Sequence, residues 1–218
     1  MRNPWTRHWM SLCSALLGVT ATGCAVGNTH TFNYQPLARD NIGRGIVVVL
    51  LSVDDQRPDI VSGDEPPSWV GEQRGGFGNP FNVKTTSGKP FADEVAETLR
   101  RDLASVGFEA LLVPNADREV VPKVLRDRGA ERAISVVMRK FNSDTYVNVD
   151  VEWDFEATVL DAHGKELASN HEQGMTTLEG SLLNAPKAAK KAVPPFFYDL
   201  IHRLVAGNEA MIEALTSG

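Results

Sequence analysis

Between Val147 and Val159 the chain reads VNVDVEWDFEATV. Val147, Val149, Val151, Trp153, Phe155, Ala157 and Val159 alternate strictly with polar or charged residues. Seven apolar side chains in period two specify a strand with one face on a core and the other in water, the habit of antiparallel sheets. A helix would scatter the same residues around its circumference. Asp161-Ala162-His163-Gly164 supplies a turn, and Lys165 to Gln173 is expected to run back as the partner. The chain must therefore build a sheet around a long antiparallel ribbon.

The remaining apolar patterns fit one domain, as 218 residues allow. Ile46 to Val53, IVVVLLSV, is a continuous β-branched run and predicts a strand covered on both faces. Pro90 opens a helix whose inward stripe is Ala92, Val95, Ala96, Leu99, Leu103 and Val106. Glu97, Arg100, Arg101 and Asp102 fall away from that stripe, and Gly107 stops the helix. Phe108 to Val113 predicts a strand or strand-like return, residues 115–128 a shorter helix closed by Gly129, and Ala133 to Met138 another strand. Closing helices are expected over 181–193 and 196–215, separated by Pro194 and Pro195. The expected class is α+β: a mixed sheet with a long antiparallel ribbon and helices packed mainly on one face.

The first 23 residues read as a removable segment. Arg2 and Arg7 precede an apolar stretch from Trp9 to Ala21, too short for the roughly 20 residues that span a bilayer, and small residues follow. Ala21-Thr22-Gly23-Cys24 resembles the bacterial lipobox, in which the cysteine becomes the acylated first residue. Cys13 would leave with the signal, so Cys24 is the one thiol expected to remain. Ala25 is not the aspartate that retains lipoproteins in the inner membrane, which implies an outer-membrane protein facing the periplasm and held in the bilayer through Cys24. Residues 24–45 are polar and turn-prone and are expected to form a tether carrying His30, with Tyr34, Pro36 and Leu37 able to pack on the domain edge. The domain proper is expected over 46–218.

Asp54 to Lys89 contains six glycines and four prolines and is expected to be a long loop, either functional or packed over an open sheet edge. It carries Trp69, Phe77 and Phe81, able to contact a protein, glycan or lipid headgroup or to form the loop's own small core. Asp54, Asp55 and Arg57 stand at the strand end that begins it, where binding groups commonly sit. An Asp-Arg pair pinning the loop explains the same residues. Gly75-Gly76-Phe77-Gly78 lacks the following helix of a phosphate loop, so nucleotide binding is not expected.

Asp150, Glu152, Asp154 and Glu156 line the wet face of the alternating strand and form either a solvated surface or a face for a cation or partner. Alternate residues stand about 6.6–7 Å apart, so metal sharing needs help from a second strand. His171, Lys165, Arg139 and Lys140 are placed to reduce the repulsion. The formal charge is 22 − 28 = −6, and −8 once Arg2 and Arg7 are removed, which argues against a nucleic-acid surface. No HExxH, nucleophile elbow or retained cysteine nucleophile is present. Neither a metal nor another cofactor is expected.

The lipobox, the strand ending in Asp55-Gln56-Arg57, the helix ending in Gly107-Phe108, and the ribbon VDVEWDFEATVLDAHGKELASN followed by a C-terminal helix together resemble the YajG-like family of proteobacterial lipoproteins. The resemblance implies a small αβ domain without established catalytic residues. The expectation is a non-catalytic, lipid-anchored envelope protein that binds a protein or glycan through its loop and sheet edge. An envelope hydrolase using Asp54 and Asp55 with His163 or His171 is the alternative.

Overall fold

The computed structural model describes residues 28–32, 36, 40–114, 116 and 118–217. The expectations for residues 1–23, Cys24, Tyr34 and Leu37 lie outside the described residues. The elements are β1 (Thr29–His30), β2 (Val47–Asp55), α1 (Pro58–Val61), β3 (Trp69–Arg74), β4 (Pro80–Thr85), α2 (Phe91–Ser105) and β5 (Glu109–Leu112). A 3-10 turn (Arg118–Val120) then leads to α3 (Val121–Arg128), β6 (Arg132–Thr145), β7 (Val149–Leu160), β8 (Glu166–Leu178), α4 (Ala185–Leu204) and α5 (Glu209–Thr216).

The fold is mixed α+β. The predicted ribbon is β7–β8, and β7 also lies antiparallel to β6 over its whole length. β6 organises the rest. Its other edge takes β2 in parallel from Arg132 to Met138 and then β3 in parallel from Ser143 to Thr145. Beyond β2 lies β5, and beyond β3 lie β4 and β1, so the sheet divides past β6 into two wings. Alternate β2 residues serve two cores, as a continuous apolar run requires: Val48 and Leu50 face α2, α4 and α5, while Val49 and Leu51 face α3.

Four expectations are corrected. Residues 54–89 are no structureless loop, because α1 and the hairpin β3–β4 occupy most of it, with Val70 and Val83 fully buried. Its glycine-rich part is only the hairpin tip, where Gly78 donates to the Gly75 carbonyl at 2.8 Å. Residues 24–45 are not wholly a tether: β1 pairs with β4, and Phe32 packs on Phe91 and Phe197 at 5.0 and 4.8 Å between ring centroids. Pro194 and Pro195 do not break the chain into two helices; both lie inside α4. The carbonyls they leave without helical partners, those of Lys190 and Lys191, belong to exposed residues that water can reach. Asp102 does not point away from the core but is fully buried, because α4 closes over that flank of α2.

Candidate functional site

Where β2 gives way to β3 along β6, a charged side chain fills the junction. The Gln56 amide still bonds the Met138 carbonyl at 2.8 Å, and β3 joins only at Gly71, opposite Ser143. Arg57, 1% exposed, enters between them. Its Nε and Nη2 donate to the two carboxylate oxygens of Asp55 at 2.8 and 2.7 Å, and Nη1 donates to the Trp69 carbonyl at 2.6 Å. The guanidinium carbon also stands 5.9 Å from the Trp69 ring and 5.3 Å from the Phe91 ring. A bidentate carboxylate, main-chain acceptors and aromatic faces together make burial of this charge tolerable.

The structure thus brings Asp55, Arg57 and Trp69 into one node. Asp54 turns to the surface and accepts a bond from Gln56 Nε2 at 2.6 Å. Phe77 projects from the hairpin tip, 99% exposed, while Phe81 is half-buried on β4 opposite Gln73.

An open strand edge lies beside this node. β5 ends with Leu112 opposite Leu50, and the Val113 amide makes one more bond to the Leu50 carbonyl at 2.9 Å. β2 continues to Asp55, yet no described strand pairs with its last residues on that side. A register shift between Leu50 and Val53 reverses the alternation, and the Gln56 amide points at β6. Val53 and Asp55 therefore direct their main-chain groups toward the open side. A groove of about 780 Å³ runs along it, floored by Val53, Leu112, Ala92 and Ala96. Glu97 on its rim takes hydrogen bonds from Arg100 at 2.7 and 2.8 Å and from Arg101 at 2.7 Å. The Arg100 bonds are the chief cause that holds its carboxyl down to about 2. Main-chain groups that no described strand pairs, above a floor of apolar side chains, suit an extended peptide. Single-chain reading could not find this groove, since its walls come from segments far apart in sequence.

The acidic face of β7 lies elsewhere, and flanking strands answer each carboxylate. Thr177 donates to Asp150 at 2.6 Å, Lys140 pairs with Glu152, His171 meets Asp154 at 2.8 Å, and Arg139 pairs with Glu156 at 2.5 Å. No group of three or more His, Cys, Asp or Glu among the described residues is arranged to hold a metal. The residues of the hydrolase alternative do not converge. His171 shares a row with Asp54 but stands three strands away, about 14 Å. His163 sits in the β7–β8 turn beside Asp161.

Two buried polar groups escaped the sequence reading. His30 is fully buried in β1, its Nε2 lies 3.3 Å from Ser143 Oγ, and Nδ1 has no partner. Burial, aided by Lys190, lowers its pKa to about 4. Asp102 on α2 accepts from Tyr198 at 2.8 Å and lies 3.1 Å from His202 Nδ1, both on α4. No periodicity signals either group, because each is defined by a partner distant in the chain.

No family model matches this chain, and no curated protein matches it in sequence. Among solved structures it is similar to protein XCC0632 of Xanthomonas campestris, of family DUF330, at a TM-score of 0.51 and 12% identity over 84% of this chain and 98% of that one. The PelC dodecamer of Paraburkholderia phytofirmans matches at 0.38 and 14%, covering 75% of this chain and 92% of that one. The lipoprotein GNA1162 of Neisseria meningitidis matches at 0.33 and 14%, covering 71% and 99%. The likeness to XCC0632 is one of fold. No described helix is long and apolar enough to cross a membrane.

Proposed function

We propose that this chain is a non-catalytic outer-membrane lipoprotein of YajG-like type. Acylated Cys24 holds it on the periplasmic side, and its domain receives an extended segment of another envelope protein. The observation that carries the binding reading is the end of β5 at Leu112 while β2 runs on to Asp55, which leaves main-chain groups and an apolar groove side by side. A strand added there gains main-chain hydrogen bonds from Val53 and Asp55 and places alternate side chains on the floor. The groove's lining carries both signs, Asp93, Glu94 and Glu97 with Lys89 and Arg101, so charge sets no sign for that segment. Support for the address comes from the amino-terminal sequence: a positive front, a short apolar run and small residues before Cys24.

A photo-crosslinking residue at Ala96 in living cells tests the binding site, with the same residue at Leu167 as the control. Crosslinked peptides with alternating apolar residues are expected at Ala96 alone. Ala92→Trp, which fills the groove, should abolish them without lowering thermal stability. Equal crosslinking at both positions, or no effect of Ala92→Trp, would show that the edge is not the binding site. Mass determination of the native amino-terminal peptide tests the anchor.

A further inference from the structure

The three most exposed large apolar side chains among the described residues, Phe77, Leu183 and Leu182, lie together with Tyr146, while Val61 on α1 and Met175 and Leu167 on β8 stand apart. Leu183 is 98% and Leu182 86% exposed, Phe77 99% and Tyr146 52%. These four belong to three connections that meet at one end of the sheet. β3 runs parallel to β6 with Gln73 opposite Thr145, so the hairpin tip bearing Phe77 projects beyond the end of β6, where Tyr146 begins the turn to β7. The 179–184 connection is fastened to the same turn: the Ser181 amide bonds the Val147 carbonyl at 3.0 Å. At Gly180 the approach is so close that a Cβ would lie 1.9 Å from that carbonyl. An apolar cluster on the rim of a domain marks an interaction surface.

The path of the chain indicates which surface. β1 is parallel to β4, with Thr29 opposite Lys84 and the Asn28 carbonyl accepting from the Lys84 amide, so the chain enters β1 from the side of β4 that leads to Pro80 and the hairpin tip. Asn28 also reaches α4, its Nδ2 donating to the Pro186 carbonyl at 3.4 Å, just past Leu182 and Leu183. Ala25, Val26 and Gly27 alone separate Asn28 from Cys24, a reach of at most about 14 Å. Lys187, Lys190 and Lys191 are exposed on the first two turns of α4, where they can meet lipid phosphates, with Glu179 the opposing charge on the adjoining connection.

We infer that this end of the domain, Phe77, Tyr146, Leu182 and Leu183, seats directly on the lipid surface beside the anchor. The inference rests on the reading of Cys24 as acylated. The short link then fixes orientation rather than leaving the domain on a free leash. Leucine and aromatic side chains enter the headgroup boundary, and the opposite end, with the β7–β8 turn, faces away from the membrane.

Depth quenching tests it. The native full-length product is reconstituted in phosphatidylethanolamine–phosphatidylglycerol vesicles with brominated acyl chains, carrying Phe77→Trp, Leu183→Trp or, at the far end of the ribbon, Leu167→Trp. Quenching at 77 and 183 is expected to exceed that at 167 at least about twofold. The unacylated Cys24→Ser chain, beginning at residue 24, should bind the same vesicles weakly and lose about tenfold in partitioning when Leu182 and Leu183 become Asp. Acylated Cys24 without quenching at 77 and 183 overturns the seated face and leaves the anchor standing. A bare Cys24 with quenching intact overturns the anchor and leaves the face. Equal quenching at all three positions overturns the proposed orientation.

Discussion

Arg57 donates to the Trp69 carbonyl at 2.6 Å and so ties the end of β2 to the start of β3, the two strands that share one edge of β6. The same guanidinium neutralises Asp55, whose side chain is only 13% exposed. Arg57→Met should cost about 3–5 kcal/mol, since it strands a nearly buried carboxylate and leaves the Trp69 carbonyl unpaired. Arg57→Lys should recover only part of that loss, because one ammonium cannot reproduce the planar fork. Urea unfolding at neutral pH measures both.

His30 gives the fold an acid-sensitive joint. Its pKa falls from 6.5 to about 4 on folding, so the unfolded chain binds the extra proton between those values. The fold therefore has its full stability from this residue above about 6.5 and loses it as pH falls toward 4, by about 3 kcal/mol in all. Between pH 7 and pH 5 the loss is about 2 kcal/mol. His30→Gln should shrink the stability difference between those two pH values by about that amount. Glu97 adds little there, because a carboxyl held at about 2 costs stability only as pH drops below its ordinary value of 4.5. Urea midpoints at the two pH values decide it, and an unchanged difference would remove His30 as the cause.

The period-two ribbon was readable because seven apolar residues admit one register on one face, and α2 because its stripe has helical spacing. β1 was not. Two residues have no period, and the burial of His30 and Phe32 is created by β4, Ser143 and an aromatic cluster far along the chain. The hairpin β3–β4 was hidden by its own glycines and prolines, with Val70 and Val83 too few to stand out. Asp55 and Arg57 were legible as a local pair. What the pair does was not, since that depends on β3 arriving next to β2. The groove is equally nonlocal, because it exists only where β5 stops short of β2.

The contact between Asp102 and Tyr198 fastens α2 to α4 at the back of the sheet. Tyr198→Phe removes one donor from a fully buried carboxylate and should cost about 1–3 kcal/mol. Replacing Asp102 with Leu in addition should cost less than the sum of the two single losses, because the Phe variant has already broken the bond. A double-mutant cycle by thermal or urea unfolding reads the coupling. Additive losses would mean that the bond does not join the helices.

Gly71 marks the point where β3 meets β6, and the approach leaves no room for a side chain. A Cβ there would stand 2.3 Å from the Ser143 carbonyl oxygen, a backbone atom that cannot rotate away, and φ is +146°. Ser143 in turn donates its hydroxyl to the Val70 carbonyl at 3.1 Å and lies against His30, so any displacement reaches β1. Gly71→Ala should therefore destabilise the chain by about 2–4 kcal/mol through steric overlap and a strained backbone. The damage should be uneven. Amide exchange is expected to accelerate most in β3, β4 and β1, and least along β7–β8, whose pairing does not pass through this contact. Uniform acceleration across the sheet would show instead that the two wings unfold as one unit.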